Sequence, residues 1–327
     1  VYLLLYILKN HLICTLRAAV VIGLACVPAS AEHSRHRPLV LIVQSDDIPQ
    51  YAAATSAFAT TANAATVVVR IADSASKTRK TIARATRLAA PDAVFALGAQ
   101  AAVLAKSEFP DTPMIFAMVM DWQRRGLEGT NTAGVALEMP ADDLLTRYKL
   151  VLPHLRRVGL IYSNAMSESY INDARGAAKR LGIHLIEEPV TSADQVAGAY
   201  RRMRRDIDAV WMVPDPEVVT RDNFAYLAHR TRNDGIAFLA FSENFVHAGA
   251  LMSITPNYAT MGSQAAALLD RMLHSPEKPN VVQNPLGSRL VVNAATARYV
   301  GVDLDATVLA MTDAVIDSSH PAGGRWR

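Results

Sequence analysis

The chain is poor in the residues that carry most catalytic chemistry. It has only two cysteines in 327 residues, Cys14 and Cys26, and both lie among the first 31. Cleavage after Ala31 would leave no disulfide, no thiol nucleophile and no Cys-ligated metal. Closely spaced glycines are missing where a dinucleotide fold needs them: the first strand-to-helix turn reads Gln44-Ser45-Asp46-Asp47-Ile48-Pro49. A phosphate-binding GxxxxGK[ST] loop and a GxSxG nucleophile elbow are also absent. His154, His184, His229, His247 and His274 lack metal-ligand spacing and read as ordinary surface or loop histidines. Glu187 and Glu188 are adjacent on a strand, so they face opposite sides and cannot act as an acid and base pair. An enzyme is not expected, and neither is a cofactor or metal.

A strong charge of either sign is lacking too. Two of the 33 Lys and Arg residues, Lys9 and Arg17, lie in the first 31 residues, which contain no acid. The rest carries 31 cations against 30 anions. That balance argues against nucleic acid, which needs clustered cations. The pairs Arg201-Arg202 and Arg204-Arg205 read as the solvated face of a helix.

What is present begins with an export signal. Lys9, His11 and Arg17 precede the apolar run AAVVIGLACV, residues 18–27, and a small-x-small site ends at Ala31. The run is short for a membrane span. Residues 1–31 are therefore expected to be a signal peptide and the product periplasmic. The alternatives are an uncleaved anchor or lipidation at Cys26, which follows Gly-Leu-Ala.

Beyond residue 37 short apolar runs alternate with helical patterns. Strands are expected at 38–44, 66–71, 93–97 and 113–119, with helices at 50–64, 76–89 and 99–107 between them. The rhythm restarts with strands at 133–137, 157–162, 184–187, 208–213, 237–241, 250–254 and 289–293. Helices are expected at 141–152, 168–181, 193–204, 217–233, 261–273 and 294–300, and a frayed tail at 318–327. Buried strands between helices mean βαβ units and parallel sheets. The fold class is α/β, with two doubly wound parallel-sheet lobes joined by a hinge. The first lobe is expected from 38–136 plus about 245–282, the second from 137–244 plus about 283–317. In such sheets ligands sit outside the carboxyl ends of the strands. One such end reads WMVPDPEVVT, where Asp215 is held between two prolines on a stiff turn.

Several stretches resemble the ABC-transporter substrate-binding proteins of the tryptophan/tyrosine-binding type. They are Leu97-Gly98-Ala99-Gln100-Ala101; Pro113-Met114-Ile115-Phe116-Ala117 with Asp121; Gly134-Val135; and Leu152-Pro153-His154-Leu155-Arg156-Arg157-Val158-Gly159-Leu160-Ile161-Tyr162-Ser163. They continue with Val213-Pro214-Asp215, Gly249-Ala250-Leu251, Tyr258, Gly262, and Leu290-Val291-Val292-Asn293 with Thr296-Ala297. The resemblance spans roughly 38–317 and rests on the order of these stretches, since none is diagnostic alone.

The resemblance implies the periplasmic binding protein type I fold. It also implies a small ligand, often an amino acid, trapped between lobes for an ABC permease in the membrane. A membrane sensor such as a histidine kinase is the alternative partner, and a monomer is expected. Carried onto this chain, the first lobe offers Ser45 and Asp47, the turn Gly98, Ala99 and Gln100, and Met120, Asp121 and Trp122. The second offers Ser163, Ser167, Asp215 and Ser242, with Asn257 and Tyr258 returning from the first. Asp215 would meet an ammonium, and the Gly98 turn, opening a helix, would meet a carboxylate. Plainer readings stand beside these: Asp215 and Ser167 as helix caps, Gly98 as a tight turn, Trp122 as packing, and Asp46 and Asp47 as solvent or cap residues. The chain departs from relatives at Ala99-Gln100, Met120-Asp121-Trp122 and Asn257, so the ligand need not be an aromatic amino acid.

Overall fold

The computed structural model describes residues 37–164, 166, 168–275 and 280–317. The expected signal segment, its cleavage site, Cys26, Ser167 and the tail 318–327 lie outside the described residues.

In chain order the first half runs β1 (Leu39–Gln44), α1 (Pro49–Thr61), β2 (Ala65–Arg70), α2 (Ala75–Ala85), β3 (Ala93–Leu97), α3 (Ala99–Glu108), β4 (Met114–Val119) and β5 (Thr132–Ala136). Next come α4 (Ala141–Val151), β6 (Arg157–Ser163), α5 (Glu168–Arg180), β7 (His184–Val190), α6 (Val196–Met203), β8 (Ala209–Trp211), α7 (Arg221–Asp234), β9 (Ala237–Ala240), α8 (Glu243–His247) and β10 (Met252–Pro256). The chain ends with α9 (Tyr258–His274), β11 (Val282–Gln283), β12 (Ser288–Asn293), α10 (Ala294–Val300), α11 (Ala306–Met311) and β13 (Ala314–Ile316).

The strands form two sheets. One has the order β11-β5-β4-β3-β1-β2, the other β13-β12-β10-β9-β8-β6-β7. The central strands β3, β4 and β5 are buried along their whole length, as strands covered by helices on both faces must be. In the first lobe, Phe58 of α1 stacks on Phe95 of β3 at 4.3 Å, and the same layer includes Met261 and Leu268 of α9. The opposite face holds Leu41, Val43, Ala101 and Phe116. The second lobe likewise has one core around Tyr148 and Trp211 and another around Tyr200, Phe224 and Phe238.

Two details correct the sequence reading. Residues 245–256, expected in the first lobe, belong to the second: β10 pairs parallel with β9 and antiparallel with β12. The second sheet is therefore mixed rather than wholly parallel. The helix expected from 217 begins at Arg221, because its N-cap is Thr220, whose side chain accepts from the Asn223 N–H.

The lobes are joined three times, at residues 137–140 between β5 and α4, at Asn257 between β10 and α9, and at 284–287 between β11 and β12. Helix α9 returns to the first lobe and packs on α1 so closely that a Cβ on Gly262 would collide with the backbone carbonyl of Ala54. The third crossing is fastened to α9 by Gln264, a buried amide. Its Nε2 donates to the Asn284 carbonyl (3.1 Å), and its Oε1 accepts from the Leu286 N–H (2.8 Å).

Candidate functional site

Strand order reverses between β1 and β3 in the first sheet and between β6 and β8 in the second. These are the switch points where open α/β sheets bind ligands. In this chain both are spanned by hydrogen bonds among its own residues.

At the first, the Ser45 N–H donates to the Leu97 carbonyl (2.9 Å) and Ser45 Oγ accepts from the Ala101 N–H (2.9 Å). Gly98 has φ 85°, and a Cβ there would collide with the Tyr51 hydroxyl and Ser45 Oγ. Glycine is required both for the backbone angle and for that close approach. Burial pushes the Tyr51 phenol up; the hydrogen bond with Ser45 opposes this, and the charge of Asp46 adds to it.

At the second, Asp215 is completely buried. Its Oδ2 accepts from the Ser163 N–H (2.6 Å), and its Oδ1 accepts from the Ser163 hydroxyl (3.0 Å), the Glu217 N–H (2.9 Å) and the Val218 N–H (3.4 Å). Asp215 is the residue expected to meet a ligand ammonium; in the structure its carboxylate joins the end of β6 to the turn after β8. The N-cap of α7 is Thr220, not Asp215.

A cavity of about 210 Å³ lies between the lobes, beside the first and third crossings. Met120, Asp121 and Trp122 line it from the end of β4, Glu138 and Asn284 from the crossings, and Met166, Tyr170, Asp173 and Pro214 from the second lobe. The end of β4 is irregular. A bulge interrupts its pairing with β5 between Ala117 and Val119, and Met118 and Asp121 both have positive φ, 59° and 47°. Bulges re-aim side chains, and such backbone persists where its surroundings over-determine it. Here the Asp121 N–H donates to Glu138 Oε1 at 2.7 Å. Burial raises the Glu138 pKa; backbone N–H groups, that of Asp121 first, oppose this, and the Asp121 charge adds to it. Burial likewise lifts the Tyr170 phenol, assisted by the charges of Glu138 and Asp173. Trp122 also packs on Phe116, with ring centroids 6.0 Å apart.

Among the described residues, Met120, Asp121 and Trp122 are the ones expected from sequence that line this cavity. Gly98, Ala99 and Gln100 open α3 but do not line it. Asp47 pairs with Arg70 at 2.8 Å. Ser242 and Asn257 cap α8 and α9, accepting from Asn244 N–H (3.4 Å) and Thr260 N–H (3.1 Å). Tyr258 is half-buried; burial and then the Glu243 carboxylate raise its pKa. Glu138, Tyr170 and Asp173 were missed. An acid in the run ALEMP, just past a buried strand, was a signal for Glu138. Tyr170 and Asp173 share a helix with many polar residues and had none.

Two doubly wound lobes, joined by three crossings with a cavity between them, define a bilobal α/β protein of the periplasmic binding protein type I fold. Residues 62–316 match the family described as ABC transporter substrate binding protein, and the chain belongs to that family. A curated relative, the tyrosine-binding protein of Clostridioides difficile (strain R20291), is 22% identical over 216 residues. That match covers 63% of this chain and only 62% of the relative's length. Among solved structures, a ligand-free, open substrate binding protein with adhesive properties from Clostridium difficile is similar with a TM-score of 0.70 at 18% identity, covering 86% of this chain and 100% of that one. The ABC domain from Streptococcus pneumonia in complex with L-Trp gives 0.58, also at 18% identity with the same coverage. These likenesses show the fold. Among the described residues no helix is long and apolar enough to cross a membrane.

Proposed function

We propose that this chain is the exported solute-binding component of an ABC importer, taking up a small polar molecule between its lobes without chemical change and presenting it to a membrane permease. The observation that carries the reading is the interlobe cavity beside the crossings, with residues from both lobes on its walls. At about 210 Å³ it lies below the roughly 300–1,000 Å³ of drug-sized sites, so it suits a small ligand. Relatives named for tyrosine or crystallised with L-Trp make amino acids and related amines the first compounds to try. The lobes would close about the three crossings, a hinge motion common to such traps. Asp121, Trp122, Glu138 and Asp173 are the proposed contacts.

The test is a thermal-shift screen with amino acids, amines, sugars and organic acids. A ligand at 100 times its dissociation constant stabilises by about 2.7 kcal/mol, a shift of several degrees. The shift should be matched by a smaller radius of gyration in solution scattering. A cooperatively folding chain that neither shifts nor contracts with any compound would overturn the reading.

A further inference from the structure

Charge is unevenly placed on this chain. From Ser74 to Pro91 there are five cations, Lys77, Arg79, Lys80, Arg84 and Arg87, and no acid. Without them the residues after Ala31 would hold 26 cations against 30 anions. The structure puts the five on α2 and the turn that follows it. One side of α2 is buried through Thr78 and Ile82, in the layer of the first lobe that holds Val69 and Leu41. Lys77, Lys80 and Arg84, three and four residues apart, share the outer side, and Arg87 extends the row into the turn. Among the described residues Arg79 pairs with Glu108 at 2.7 Å, and the other four cations have no ion pair. The helices of the second lobe differ, since Arg175, Arg180, Arg202 and Arg204 each face a carboxylate. Like charges at this spacing destabilise a helix, so the row is a cost that an external anion removes.

A second observation comes from the turn after α2 and the place where the chain enters the fold. Leu88, next to Arg87, is 90% exposed. The turn runs on to Asp92, whose carboxylate accepts from the Leu39 N–H (2.7 Å) and whose own N–H donates to the Leu39 carbonyl (2.8 Å). The start of β1 is thereby fastened to the end of the turn. Arg37, just ahead of β1, is exposed, and the sequence there reads Ser34-Arg35-His36-Arg37, with the apolar run 18–27 further upstream. Cations, an exposed leucine and the path to an apolar leader thus meet at the amino ends of the first lobe's strands. The crevice lies at the carboxyl ends.

We propose that the outer face of α2 and the turn after it form a docking surface for an anionic phospholipid membrane. The cations meet the phosphate headgroups, and Leu88 enters the boundary beneath them. A flat anionic bilayer matches both the charge and the leucine, whereas an acidic protein face matches only the charge. The surface is remote from the crevice and works whatever ligand the crevice takes.

The test is flotation of the exported chain with vesicles of pure phosphatidylglycerol, pure phosphatidylcholine and an equal mixture. The readout is the ratio of binding to anionic and to neutral vesicles, which cancels the contribution of a retained leader. Each cation near an anionic surface contributes about fivefold, so the ratio should exceed about a hundredfold. It should fall towards one as salt is added. The triple variant Lys80→Gln, Arg84→Gln, Arg87→Gln should lower the ratio at least about tenfold with the melting curve unchanged. A control variant, Arg201→Gln, Arg205→Gln, Arg221→Gln, removes the same charge from the exposed surface of the second lobe and should leave the ratio near the parental value. Leu88→Ser should weaken binding to the anionic vesicles severalfold. A parental ratio near one overturns the proposal. So does an equal loss in the two triple variants, which would make binding a matter of net charge, or full binding by Leu88→Ser, which would leave a surface that inserts nothing.

Discussion

Ser163 gives both its backbone N–H and its hydroxyl to the carboxylate of Asp215, 52 residues further along the chain, at 2.6 and 3.0 Å. Asp215 thereby holds the ends of β6 and β8 together from inside the second lobe. Asp215→Ala removes the acceptor of the buried Ser163 N–H and hydroxyl, at about 1–3 kcal/mol for a buried donor, and that of the part-buried Glu217 N–H. The expected result is a fall in Tm of about 5 °C or more. A variant as stable as the parent would show that the carboxylate is not a brace.

Gly262→Ala sets two effects against each other. Alanine gains about 1 kcal/mol over glycine in a helix interior. Its Cβ, however, would collide with the Ala54 carbonyl, a backbone atom that cannot swing away. Overpacking of this kind costs about 1–3 kcal/mol, so net destabilisation is expected in a urea melt. A rise in the urea midpoint would mean that α1 and α9 separate at little cost.

Gln264→Leu keeps the volume of the side chain and removes its two hydrogen bonds to the third crossing. The Leu286 N–H and the Asn284 carbonyl lose their partner. A loss of about 1–3 kcal/mol is expected. Amide exchange at Leu286 should also accelerate, while exchange in β3 keeps its parental order. Unchanged exchange at Leu286 would place the restraint on the crossing elsewhere.

Glu138 sets a pH dependence whose sign is fixed by its raised pKa. Burial raises it, backbone N–H groups led by that of Asp121 oppose, and the Asp121 charge adds. Tyr170 is the other titratable group coupled to it. A carboxyl whose folded pKa exceeds its unfolded one contributes stability below the unfolded value and loses it as pH rises through the folded value. Glu138→Gln should remove that slope from Tm measured between roughly pH 4 and 8. For a cationic ligand the sign reverses: only the ionised carboxylate pairs with an ammonium, so affinity should rise through the same interval. A variant with the parental slope in both would take Glu138 out of the account.

The alternation of apolar runs with helical patterns was enough to read most strands and the two doubly wound sheets. What the pattern could not hold was pairing. The run containing Met252 and Ile254 looks the same in either lobe, and only its partners β9 and β12 decide that it belongs to the second. The elements α8, α11, β11 and β13 are too short for a period to register. At the site, the stiff Pro-Asp-Pro turn was legible, but the direction of the carboxylate depends on Ser163, distant in sequence. Asp121 was legible as the end of a strand; its positive φ and its bond to Glu138 were not.

The first lobe is assembled from two separated stretches of chain, because α9 and β11 arrive only after β6 to β10 have been passed. A nascent chain that has just completed β5 still exposes the face of α1 that α9 will cover, Ala54 and Phe58 included. The second lobe in turn lacks β12 and β13 until the end. The first lobe cannot finish folding until most of the second has been made, and the second cannot finish before the last strand of the first has emerged, which leaves apolar surface open for most of synthesis and gives chaperones a long interval in which to hold it.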